Sequence, residues 1–226
     1  MRFGLVVLLL SSLAGGAFAQ DRTISLNGTG VVSATPDMAV ISLGATHRAK
    51  TAKAAMAAVN ASVTEVLTEL AEEGIDARDI QTNGLSLNAV RDHNNYGETG
   101  PKLVGFEASN RLSIRVRDLG EVGEILGVLI AVGANGVDGI RFDLQEPRPR
   151  QDEARRLAVA DARAKAELYA EAAGVQLGEI VSISEAGRSE PRLEMMRESA
   201  MSDSVPIAAG ELSIQSQVMI VWALVD

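Results

Sequence analysis

Alanine recurs at every fourth position from Ala154 through Ala158, Ala162 and Ala166 to Ala170, and no other pattern in this 226-residue chain restricts its fold so tightly. Steps of four run along one ridge of an α-helix. A ridge of such small side chains lets a neighbouring element come close to the helix backbone. Pro147 and Pro149 break the chain just before this run and Gly174 follows it, so the spacing predicts a helix from about Arg150 to Ala173. Leu157, Ala160, Ala164 and Leu168 fall beside the ridge. Asp161–Lys165 and Arg163–Glu167 sit four apart and read as helix support, worth about 0.2–0.5 kcal/mol per pair on an exposed face.

The rest of the chain alternates between two periods. Ala39, Ile41, Leu43 and Ala45 interleave with Val40, Ser42, Gly44 and Thr46, the two-residue period of a strand. Ala52, Ala55, Met56, Val59, Val63, Val66, Leu67 and Leu70 then fall at steps of three and four, and Gly74 ends that helix. Leu85, Leu87 and Ala89 mark a strand, and Arg91–Pro101 has the composition of a long hairpin loop. Phe106, Ala108, Leu112, Ile114 and Val116 alternate with polar residues, a half-buried strand suited to antiparallel pairing. Asp118, with Glu121 three residues on, reads as the cap of a helix whose buried stripe is Val122, Ile125, Leu126 and Leu129, ended by Gly133. Strands follow at Val137–Gln145, near Glu179–Ser184 after the long helix, and finally along Leu212, Ile214, Val218, Ile220, Trp222 and Leu224, after a polar stretch from Gly187 to Gly210. The order ββαββαβαββ is that of an α+β fold with a largely antiparallel sheet and helices packed on one face; the glycine-ended helices leading to Ile80, Ile140 and Ile180 suggest units sharing one sheet.

The first nineteen residues address the chain. A lone Arg2, an apolar run from Phe3 to Leu13 and Ala17-Phe18-Ala19 before Gln20 form a secretory signal peptide with cleavage expected after Ala19, leaving residues 20–226 as one domain. No later run reaches the roughly 20 apolar residues of a membrane helix, so the mature product is expected to be soluble beyond the membrane, with peripheral envelope association left open. The formal net charge is −9 and the basic residues are mixed with acids, which argues against nucleic acid as a partner. With no cysteine there is no disulfide or thiolate chemistry, and with only 3% aromatic residues there is little for bases or sugars to stack on.

Few residues carry chemistry. Gly28-Thr29-Gly30 lacks the third glycine and the following helix of a nucleotide-binding loop, and reads as a strand bulge or turn. Pro36-Asp37 is turn chemistry in which the Asp37 carboxylate can accept backbone N–H bonds. The only imidazoles are His47 and His93, and they read as surface histidines; any Ser/His/Asp triad has to use one of them, and no G-x-S-x-G is present. Met195, Met196 and Met201 are the best chemical lead. Clustered thioethers suit Cu(I) or sacrificial oxidation, and the plainer role is to anchor a loop on an apolar surface. No catalytic set, cofactor site or firm metal site emerges.

The stretch Gly28-Thr29-Gly30-Val31-Val32-Ser33-Ala34-Thr35-Pro36-Asp37 through Gly44 resembles the opening of the SIMPL-domain family of bacterial periplasmic proteins. The likeness continues in order through Gly74-Ile75, Asp79-Ile80-Gln81-Thr82, Gly105-Phe106 with Asn110, Gly133-Ala134-Asn135, Ala158 to Ala170, Leu177-Gly178 and Gly210-Glu211. Phe106 stands where Tyr is common in the family, and Asn88 where proline often follows the strand. The resemblance implies an α+β fold, an envelope location, homo-oligomers, and a link to oxidative-stress defence and immunogenicity; it implies no catalytic residue. The expected function is therefore non-enzymatic, in homo-oligomeric assembly through sheet edges or helix faces and the Gly187–Gly210 segment. The alternative is a periplasmic metal-binding or redox module built on Met195, Met196 and Met201.

Overall fold

The computed structural model describes residues 22–97, 100–185, 192–194 and 208–226. The leader 1–19 and Met195, Met196 and Met201 lie outside the described residues. The described elements run β1 (Thr23–Ala34), β2 (Met38–Ala49), α1 (Ala52–Glu72), β3 (Ile80–Gly97), β4 (Gly100–Val116), α2 (Val122–Ala131), β5 (Gly136–Asp143), α3 (Arg148–Ala173), β6 (Gln176–Glu185), β7 (Arg192–Glu194) and β8 (Glu211–Val225). The fold is α+β and its strand pairs are antiparallel, in the expected order except that the three-residue β7 interrupts the polar stretch before β8.

The strands do not share one sheet. They divide into two four-stranded sheets, one ordered β1-β8-β6 with β7 also on β8, the other β3-β4-β2-β5. The division follows from where partners lie in the chain. β2 is flanked by β4 and β5, which are close in sequence, whereas β1 finds its partner in β8, pairing in unbroken register from Thr23↔Ala223 to Ala34↔Leu212.

Each sheet is covered on one face by its own helices. In the second sheet, Ala39, Ile41, Leu43 and Ala45 of β2 and Ala108, Leu112, Ile114 and Val116 of β4 meet Ala55, Val59, Val63, Val66 and Leu70 of α1 and the buried stripe of α2. Thr51 starts α1 by accepting the Ala54 N–H at 3.2 Å. The start of α2 differs from expectation: Asp118 spends its carboxylate on the Gly120 N–H at 2.8 Å, and the helix opens at Val122 after Glu121, which makes no side-chain cap.

In the first sheet the alanine ridge is buried as its spacing requires. Ala154, Ala158, Ala162, Ala166 and Ala170 all lie under α3 against the sheet, while Leu157 and Leu168 face outward. Gly28 and Gly30 explain how the ridge comes so close. A β-carbon on Gly28 would stand 1.9 Å from the Ala158 carbonyl oxygen, and one on Gly30 would stand 2.0 Å from that of Ala154. These glycines form neither bulge nor turn; they are the floor on which α3 rests.

The corner between β1 and β2 ties the two sheets together. Asp37 accepts the Gln145 N–H at 2.7 Å through its carboxylate and donates its own N–H to the Asp143 carbonyl at 3.2 Å, while Gln145 Nε2 donates to the Asp37 carbonyl. This places Leu144, at the exit of β5, in a cluster with Val32, Ala34, Ala154, Leu212 and Ile214.

Candidate functional site

A strand at the edge of a sheet presents unpaired N–H and C=O groups, and natural proteins block such edges with charge, bulges or cover. Each of the two sheets has two edges, and they are treated differently.

The β1 edge is blocked by α3. The Asp161 carboxylate accepts the Thr29 N–H at 2.8 Å, and Lys165 Nζ donates to the Asn27 carbonyl at 3.2 Å while pairing with Asp161 at 2.6 Å. The Lys165 bond first, and the Thr29 bond with it, lowers the Asp161 pKa below the usual carboxylate value. The spacing of Asp161 and Lys165 suggested no more than a helix-surface pair. Their reach onto a distant strand has no local signal in the sequence.

β5 is protected by irregularity and charge. Its register against β2 shifts between Ser42 and Leu43, Gly139 has a φ of +150°, and Asp138 and Arg141 are held by Arg111 at 3.0 Å and Asp143 at 3.1 Å. Asn135 extends this edge by one step: its side chain accepts the Thr46 N–H at 2.8 Å and donates to the Thr46 carbonyl at 2.9 Å, imitating a strand partner. That is the work of Asn135 in Gly133-Ala134-Asn135.

β3 has no such protection over its middle. From Ile80 to Val90 it carries no charged side chain, and from Gly84 to Val90 it pairs with β4 in regular register. Leu85 and Leu87 are 62% and 44% exposed, because α1 lies over β2 and β4 and leaves β3 uncovered. β3 is also longer than expected. Where Arg91–Pro101 reads as a loop, the strands stay paired from Arg91↔Leu103 to Gly97↔Gly100, making an arm that projects past the end of β2 at Ala49↔Phe106. The pairing tolerates shifts on either side of Arg91-Asp92, which is why turn-like composition there does not end the strand. β6 is the second uncovered edge: Ile180, Val181 and Ile183 are each at least half exposed, although two register shifts against β8 confine regular pairing to Gln176–Leu177 and Ser182–Glu185.

The expected chemical residues are scattered. His47 Nε2 lies 2.9 Å from the Ser62 Oγ of α1, and His93 is exposed on the arm. Among the described residues no three His, Asp or Glu side chains gather as metal ligands, and no helix is long and apolar enough to cross a membrane. Among the described ion pairs, the one with the most buried carboxylate belongs to the scaffold. Arg117 grips the buried Asp79 through Nε and Nη2, both at 2.8 Å, and this bond lowers the Asp79 pKa against the opposing effect of burial.

The model of the SIMPL family, described as protein of unknown function (DUF541), matches residues 24–222. The chain is 36% identical to the 26 kDa periplasmic immunogenic protein of Brucella melitensis over 236 residues, 96% of this chain and 94% of that one. The protein of the same name from Brucella abortus is similar to the same extent. The uncharacterized protein YggE of Escherichia coli is 23% identical over 96% of this chain and 89% of its own.

Proposed function

The chain belongs to the SIMPL family and is periplasmic, and from that premise we propose that, once residues 1–19 are removed, it works without catalysis as a homo-oligomer joined through its uncovered strand edges. The observation that carries this is the contrast among the four edges. β1 and β5 are blocked by charge, glycine and side-chain mimicry, whereas Gly84–Val90 of β3 is regular and uncharged, with Leu85 and Leu87 exposed on it. An edge of that kind left open in a solution of identical chains pairs with another copy. In this reading a link to oxidative-stress defence passes through the assembly rather than through a reacting side chain.

Light scattering on the mature protein at micromolar concentration tests the proposal. The expected mass is a multiple of the chain mass, and Leu87→Lys, which places a charge on the exposed edge, should weaken association by at least about tenfold, the effect of about 1.4 kcal/mol. A wild-type monomer across a tenfold concentration range would remove the proposal.

A further inference from the structure

Asparagine is followed by glycine three times in this chain, at Asn27-Gly28, Asn83-Gly84 and Asn135-Gly136. Such a pair carries its own reaction: the glycine nitrogen attacks the side-chain amide carbon of the asparagine, with no β-carbon on the glycine to stand in the way. The fold holds the three pairs differently. Asn27 and Gly28 lie in the unbroken β1–β8 ladder opposite Met219 and Val218, and Gly28 is packed so closely under α3 that a β-carbon would stand 1.9 Å from the Ala158 carbonyl oxygen. That peptide has no room to turn. Asn135 has both ends of its side-chain amide tied to Thr46, at 2.8 and 2.9 Å. Asn83 is held by neither device. It is the extra residue of a bulge: Thr82 pairs with Leu112 and Gly84 with Arg111, which leaves Asn83 no partner in β4. Its side chain is exposed and makes no hydrogen bond among the described residues. Gly84 has open space around it, the nearest atom to an added β-carbon being the Arg111 β-carbon at 3.7 Å.

We propose that Asn83 is a self-modification site, at which the folded protein deamidates ahead of Asn27 and Asn135. The Gly84 nitrogen bonds to Asn83 Cγ, the Cγ–Nδ2 bond breaks, and ammonia leaves with the proton that the Gly84 nitrogen gave up. Water then opens the cyclic imide at one of its two carbonyls, leaving aspartate or isoaspartate at position 83. The net reaction consumes one water and releases one ammonia, and no electron is transferred. The consequence rests on the assembly reading, because Asn83 adjoins the Gly84–Val90 stretch through which copies pair. The reaction puts a negative charge on an edge that carries none from Ile80 to Val90. Charge is one of the means by which natural edges are closed, so the modification turns a pairing edge into a guarded one as the protein ages.

Peptide mapping by mass spectrometry tests the site, on mature protein incubated at mildly alkaline pH in the native state and in urea. In the native state Asn83 should convert at least about tenfold faster than Asn27 or Asn135, and in urea the three rates should converge, since the advantage belongs to the fold. Gly84→Ala, whose β-carbon has room in the fold, should slow conversion at Asn83 by at least about tenfold. Equal native rates at the three positions, faster conversion at Asn27 or Asn135, or a native Asn83 that stays intact while the unfolded chain reacts would each overturn the inference. Light scattering on Asn83→Asp reads the consequence: association at least about threefold weaker than wild type is expected, and equal association of the two proteins would overturn the closing of the edge. A monomeric wild type would remove the assembly reading and leave the peptide map to judge the site, so the two fail separately.

Discussion

Replacing Gly30 with alanine adds one methyl group at the point where β1 and α3 come closest. The new β-carbon would lie 2.0 Å from the Ala154 carbonyl oxygen, 2.5 Å from the Ala158 nitrogen and 2.8 Å from the Leu157 β-carbon. Ordinary contact begins at 3.4 Å, so the helix has to retreat by about 1.4 Å, and the two nearest atoms are backbone that cannot rotate aside. A gap of 0.5–1 Å already forfeits about a quarter to a half of the attraction between packed atoms, and here it opens along the whole alanine ridge. Overpacking typically costs about 1–3 kcal/mol and occasionally more; this site belongs at the upper end. The smaller unfolded-state entropy of alanine returns about 0.4–1 kcal/mol. The net loss is about 2–2.6 kcal/mol, which for a chain of this size lowers the melting midpoint by about 4–10 °C. Circular dichroism melts at one fixed protein concentration read the effect, because the midpoint of an assembling protein depends on concentration. Gly84→Ala is the control. Its β-carbon would meet nothing nearer than the Arg111 β-carbon at 3.7 Å, so it should stay within about 0.5 kcal/mol of wild type. A Gly30→Ala melt that overlays the Gly84→Ala melt would refute the reasoning.

Ala162→Leu adds three carbons at a fully buried ridge position and should cost at least about 1–3 kcal/mol in a thermal melt; an unchanged midpoint would mean that the ridge does not face the sheet. Asp79→Asn breaks the grip of Arg117 and should cost about 1–3 kcal/mol at neutral pH, less than a fully buried pair because Arg117 stays half hydrated. The Asp79 pKa is lowered by folding, so its contribution is complete above the unfolded value of about 3.9 and fades as pH falls through the native value; urea unfolding should show wild type and variant converging in acid, and a constant difference from pH 7 to pH 2 would contradict this. Leucine at Met195, Met196 and Met201 together should leave stability intact, since the swap conserves volume and apolarity. Titration with Cu(I) under reducing conditions should find negligible binding to either protein, and tight binding lost in the triple variant would make the soft-metal alternative the better reading.

Features written in local periodicity were legible before the structure. The alanine ridge, the α1 and α2 stripes and the alternating faces of β2, β4 and β8 each follow from spacing within a dozen or so residues, and most of these side chains are buried as that spacing demands, whereas Leu67 of the α1 stripe is 40% exposed and Ala52, Met56, Phe106 and Leu224 are half-buried. What escaped depends on residues far apart. Gly28 and Gly30 look like turn glycines until α3, some 130 positions later, is laid across them. Asp161 shows its Lys165 neighbour in the sequence but not Thr29. The division into two sheets turns on β8, which is closer in the sequence to β6 than to β1 yet pairs with both. The unguarded stretch of β3 could be read as uncharged, but that it stands open depends on where α1 lies.

The pairing of β1 with β8 also sets a timetable. β8 occupies the middle of its sheet, with β1 on one side and β6 and β7 on the other, and it is the last of the described strands to leave the ribosome. Until then β1 and β6 lack the strand that pairs with both, although α3 bonds to β1 directly through Asp161 and Thr29, and the Arg22–Asp226 contact at 2.7 Å that closes the far end of the ladder cannot form. Contacts of such sequence separation are slow to make. The pairing of β1 with β8 therefore makes the closing of this sheet the longest-range step in assembling the described fold.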